Sequence, residues 1–284
     1  MAGISMKDIK SRIKSMESTR QITKAMEMVA SSKLRGAQER AIASRPYFET
    51  LYKTMHDIAD ANTDLASPYV QPPRGEKTCF VVIAGDRGLA GGYNSNVLKL
   101  AASLMQGREA VVQPIGKKAA EYCKSHNIPV LNALYPVAEN VNAGECYTMA
   151  NNLCREYLKG TFDRVVLVYT NFVTVLTQTP GSMPLLPLSI VGTKQERKGG
   201  AMLTLYEPDS VSVFNAIVPE FLGGVIYGAL RESLCSEQAA RRTAMDSATK
   251  NADEMIGDLS LQYNRARQSA ITQEITEIVA GAEQ

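Results

Sequence analysis

The chain has 284 residues, 45% of them hydrophobic and 21% charged, with a formal net charge of +2. That is enough apolar material for a real core in one or two domains, and it excludes a disordered, highly charged chain. No stretch approaches about 18 consecutive apolar residues, and no apolar signal core precedes the first charges, so any membrane association is expected to run through a partner. The five cysteines, Cys79, Cys123, Cys146, Cys154 and Cys235, show no C-x-x-C spacing. They sit mostly in apolar-periodic segments, where a thiol acts as a small hydrophobe, and a reducing compartment fits them best. With His56 and His126 far apart, a zinc site is not expected.

Residues 5–61 contain one proline, Pro46, and one glycine, Gly36, and are rich in Ala, Met, Lys, Arg, Glu and Gln. They predict a long helix, with Pro46 the place for a kink. Ile9, Ile13 and Met16 begin an apolar seam, Ile22, Met26 and Val29 continue it, and Leu34, Ala37 and Ala41 extend it. Residues 1–45 hold ten Lys/Arg and four Asp/Glu, so +6, while the rest of the chain holds 21 and 25, so −4. A basic helical arm of this kind suits an acidic neighbour or a merely solvated face.

The middle of the chain changes period. Strands are expected at residues 78–83, 110–115, 130–134 and 165–169, and helices at 94–105, 117–125 and 146–158, an alternation that argues a mostly parallel α/β sheet. Residues 173–190, with Pro180, Pro184 and Pro187, predict an edge strand and loop, and residues 202–206 a closing strand. From about residue 208 a second long helix is expected, with Leu230, Leu234, Ala244, Ala248, Met255, Leu259 and Ala266 as its seam. The expected fold class is therefore α/β, with an antiparallel coiled coil of the two terminal helices and an inserted Rossmann-like domain. The boundaries are residues 1–61, 62–208 and 209–284.

The Gly-rich run GDRGLAGGYN at residues 85–94 follows a strand and precedes a helix, where such loops can bind phosphate. Neither G-x-G-x-x-G nor G-x-x-x-x-G-K-[ST] occurs, so a tight structural turn is the stronger reading, and no cofactor is expected. No Ser, Cys or His arrangement nominates a catalytic centre. Glu274 and Glu277 fall side by side on a helix face, which suits solubility better than acid/base work. Near the end, Ile271, Ile275, Ile278 and Val279 form an apolar helical face with no breaker after it, a stripe that calls for a covering partner.

Two segments carry a resemblance. ITKAMEMVASSKLR at residues 22–35 and ARQSAITQEITEIVAG at residues 266–281 resemble the N- and C-terminal signatures of the gamma subunits of bacterial F-type ATP synthases. The Gly-rich run is similar to that family's loop, with Ala90 in place of its usual Cys. The resemblance extends over the whole chain. It implies a non-catalytic central rotor shaft that transmits torque between the membrane c ring and the catalytic head during proton-driven ATP synthesis, or during hydrolysis. It also implies alpha, beta, epsilon and c-ring partners, no nucleic acid, and a peripheral position on the cytoplasmic side of the plasma membrane. By the same resemblance, Met26, Lys33, Arg35, Arg267 and Gln268 face the catalytic ring, and Ile271, Ile275, Ile278 and Val279 rest in its apolar collar. Tyr206, Glu207 and Asp209 would contact the c ring and epsilon. No paired cysteines stand in residues 191–201, so no thiol switch of the chloroplast kind is expected. Alternatives on the residues alone are a coiled-coil adaptor, a nucleic-acid-binding arm on residues 1–45, or an α/β enzyme using the Gly85 loop.

Overall fold

A computed structural model describes residues 5–61, 66–132, 136–188 and 207–282. The elements in order are α1 (Met6–Ala61), β1 (Thr78–Ile83), α2 (Tyr93–Met105), β2 (Ala110–Ile115), α3 (Lys117–Ser125), α4 (Ala143–Leu158), β3 (Arg164–Phe172), β4 (Gln178–Leu186) and α5 (Ser210–Ala282). Both long helices are assigned as continuous through their prolines, Pro46 in α1 and Pro219 in α5. Of the strand expected at 130–134, the described residues show a bridge from Val130 to Val112, and residues 133 and 134 lie outside the described residues. The strand expected at 202–206 lies outside the described residues.

Two compact units divide the chain: residues 1–32 with 241–284, and residues 33–240. The larger unit thus takes in residues 33–61 of α1 and 210–240 of α5 along with the sheet. Its strand order is β2-β1-β3-β4, with β1 parallel to both neighbours and β4 antiparallel to β3. Burial on both faces explains why β1 reads as an unbroken apolar run. Cys79, Val81 and Ile83 face one core with α4 and with Phe214, Val218, Leu222, Ile226 and Leu230 of α5. Phe80, Val82 and Ala84 face the other, with Val97 and Ala101 of α2 and Ala119 and Cys123 of α3. An 18-residue stretch of α5 is apolar enough by composition to cross a membrane, with mean hydropathy 1.5, and 44% of it is buried within the fold.

In the smaller unit, α1 and α5 pair antiparallel. The Thr23 and Thr249 hydroxyls hydrogen-bond at 2.8 Å, and Arg20 Nη1 meets Asp253 Oδ1 at 3.2 Å. Partner numbers summing to 272 or 273 fix the register. On α1 the seam steps by four and three through Ile9, Ile13, Met16, Arg20, Thr23, Glu27 and Ala30; on α5 it steps through Met245, Thr249, Ala252, Ile256, Leu259, Tyr263 and Ala266. This corrects the sequence expectation. Ile22, Val29 and Met255 stand more than half exposed, while Thr23, Ala30, Met245 and Ala252 are buried. One residue turns the helix by about 100°, so choosing the nearest apolar residue over the polar one in phase moves the reading off the seam.

Candidate partner-contact surfaces

The Gly85 turn closes on itself. Asn94 Oδ1 accepts from the Gly85 amide at 2.8 Å, and its Nδ2 donates to the Arg87 carbonyl at 3.0 Å. Asp86 Oδ1 accepts from the amides of Lys117 at 2.9 Å and Ala138 at 3.2 Å, and its Oδ2 accepts from Glu139 N at 3.2 Å. A Cβ at Gly85 would lie 2.9–3.1 Å from the carboxyl group of Glu237, itself buried on α5. Two carboxylates thus stand where a phosphate loop would need open amides and positive potential, so the structural reading of the run holds. The sequence reading does not reach the role of Asp86, since its partners lie 31 to 53 residues away.

The five thiols are all buried, and burial pushes Cys79, Cys146 and Cys154 up to about 12 and Cys123 up to about 11. Buried protonated thiols are poor nucleophiles. Among the described residues, no group of three or more His, Cys, Asp or Glu side chains is placed to hold a metal.

The residues expected to meet partners fall into three places. On α1, Met26 is half-buried beside the seam, Arg35 is exposed and reaches Glu39 one turn on at 3.3 Å, and Lys33 Nζ donates to Glu139 Oε1. Beside Met26, Ile22 and Val29, which the sequence reading had placed in the seam, are exposed together with Met28 and form an apolar outer face. Their being one step out of the four-three phase was the available signal.

The second place is the end of α5. By the register above, Met6, the first residue of α1, falls opposite residue 266 or 267. Arg267, Gln268, Ile271, Ile275 and Ile278 therefore lie at or beyond the last helical pairing among the described residues, and all are exposed, the isoleucines by 47%, 57% and 70%. Val279 lies on the same helix, and its side chain is outside the described set.

The third place is the start of α5. Asp209 accepts from the Ser212 amide at 2.8 Å and from the Ser212 hydroxyl at 2.7 Å, capping the helix. Those bonds hold its carboxyl below the usual carboxylate range. Glu207 is exposed, and Tyr206 lies outside the described residues.

Antiparallel long terminal helices and an α/β domain inserted between them define a coiled-coil protein with an α/β insert. A family model described as ATP synthase matches residues 5–284. The ATP synthase gamma chain of Ruminococcus albus is 48% identical over 281 residues, 96% of each chain. The sodium ion specific ATP synthase gamma chain of Acetobacterium woodii is 40% identical over 295 residues, 98% of each. In the OSCP/F1/c-ring structure of Euglena gracilis mitochondrial ATP synthase, one chain matches at TM-score 0.66 and 18% identity, covering 97% of this chain and 92% of that one. A chain of the Tetrahymena thermophila central stalk and c ring matches at TM-score 0.61 and 24% identity, covering 80% and 99%. These structures show the same fold. The chain belongs to the gamma-chain family of ATP synthases, and it is a non-catalytic subunit.

Proposed function

We propose that the chain is the rotor shaft of a bacterial F1Fo ATP synthase, turning within a ring of alpha and beta subunits and coupled at its foot to epsilon and the c ring. It would sit peripherally on the cytoplasmic side of the plasma membrane. A shaft biases catalytic sites only if it contacts their conformations unequally. The α1/α5 pair is suitably lopsided, with an exposed apolar face at Ile22, Met28 and Val29 and a polar seam layer at Arg20 and Thr23.

The observation that carries the reading is the tip. A helix that continues past the described residues of its partner, with Ile271, Ile275 and Ile278 in solvent, supports an apolar bearing, where non-directional contacts slide. Buried ion pairs there would have to break at several kcal/mol apiece. Arg267 and Gln268, just before that stripe, suit bonds that are made and broken on each turn, because a guanidinium releases a carboxylate without changing protonation state. Met26 and Arg35 extend the ring-facing set along α1; Lys33, already held by Glu139, stands apart from it. Tyr206, Glu207 and Asp209 are assigned to the foot, with Asp209 also capping α5.

Reconstitution of the alpha and beta subunits with and without this chain tests the proposal. Assembly and ATP hydrolysis should depend on it, and changing Ile271, Ile275 and Ile278 together to Ser should weaken assembly while the α/β domain stays folded. Full hydrolysis and assembly in its absence would end the proposal.

A further inference from the structure

An open α/β sheet ordinarily takes its ligand in the crevice outside the carboxyl ends of its strands. Here that end of the sheet is occupied by the chain's own long helices. After β1, Gly85 lies against Glu237 of α5, and Asp86 holds the amides of Ala138 and Glu139. Glu139, presented by that clamped loop, accepts from Lys33 of α1. At the end of β3, Thr170 donates its amide to Ser233 Oγ at 3.1 Å, and its carbonyl accepts from Ser236 Oγ at 3.3 Å. Just beyond, Phe172 and Val175 pack on Leu34 and Ala37 of α1 and on Cys235 and Ala239 of α5.

These contacts come from separate loops and converge on one short length of both helices, residues 33–37 and 233–239. They combine apolar packing, buried hydroxyl bonds and a charge pair, so they resist sliding and rotation alike. A purely apolar seat would let the helices slip. The Gly85 run, which matches no nucleotide motif, has a role in this arrangement: Gly85 leaves room for a helix carboxylate, and Asp86 sets the loop that reaches α1.

We infer that the strand-end crevice of the α/β domain grips α1 and α5 as a built-in ligand, and that this grip is the joint through which torque passes between domain and helices. The inference rests on the rotor reading for its torque. It also assigns Lys33 as a positioning residue acting through Glu139 rather than as a contact to the catalytic ring.

The test uses the full reconstituted, membrane-embedded complex, comparing ATP-driven ion pumping with ATP hydrolysis for Lys33→Glu, Glu139→Lys and the two combined. Each single change should lower ions pumped per ATP by about two- to fivefold, the range that the energy of one surface ion pair allows. The combined swap should restore it. The isolated chain's Tm should move by no more than about 2 °C throughout, so that the loss is not one of folding. Phe172→Ala should lower the same ratio without rescue by the swap. A deficit in Lys33→Glu alone, with Glu139→Lys silent and no rescue, would place Lys33 on the ring and overturn the joint. Unchanged pumping in all variants would overturn it too. Complexes that hydrolyse and pump with the chain omitted would instead sink the rotor reading itself.

Discussion

Thr170 shows how one residue ties a strand to a helix. The β1–β3 pairing ends at Val168, two residues before Thr170, so β1 offers Thr170 no backbone partner. Ser233 and Ser236 on α5 supply the missing partners, which accounts for two fully buried serines in that stretch of the helix. Ser236→Ala would leave a buried carbonyl without its donor and should cost about 1–3 kcal/mol in urea unfolding. The Thr170 side-chain hydroxyl, by contrast, is buried with no hydrogen-bond partner. Thr170→Val, which removes that hydroxyl at constant shape, should be neutral or stabilising in the same assay. Sequence reasoning sees residues of this kind only when the partner is local. A cap such as Asp209, whose partner Ser212 lies three residues on, is within reach of sequence reasoning; Asp86, Glu237, Ser233 and Ser236 have partners 31 to 152 positions away.

At the scale of elements, the strands and short helices were legible where the period was clean. Residues 78–83, 110–115 and 117–125 form β1, β2 and α3 with the expected bounds. The coiled-coil register was not, because its middle layers are polar. Arg20 and Thr23 occupy seam positions that an apolar count rejects, so Ile22 and Val29 were taken in their place. The corrected seam has a measurable consequence. Ile22→Ser should change stability by no more than about 0.5 kcal/mol, as at any exposed site. Ala30→Phe, at a closely packed position, should cost about 1–3 kcal/mol by overpacking. The opposite ranking would restore the register read from apolar residues alone.

The start of α5 carries a pH signature of its own. The carboxyl of Asp209 is held low by the Ser212 bonds, so its stabilising contribution is present above the ordinary aspartate range near pH 4 and is lost as pH falls through the depressed folded-state value. Asp209→Ala should therefore melt below the wild type at neutral pH, and the gap in Tm should shrink on acidification. A gap that stays constant down to pH 2 would show that the cap does not act through its charge.

For the whole molecule, function was readable from sequence chiefly through the two terminal signatures, since nothing in composition or spacing distinguishes a rotor from any other long-helix protein. The structure adds the physical reason that the signatures matter. Beyond Ala266 the C-terminal one lies on a helix with no described residue of α1 opposite it, and the N-terminal one presents Ile22, Met28 and Val29 outward. Both place apolar surface in solvent, where an isolated chain gains nothing from it. The central claim is that this chain turns inside its partners. A probe attached to the exposed face of α4 should, in complexes whose alpha and beta subunits are fixed to a surface, rotate in one direction on addition of ATP. Sustained hydrolysis with a stationary probe would contradict the account.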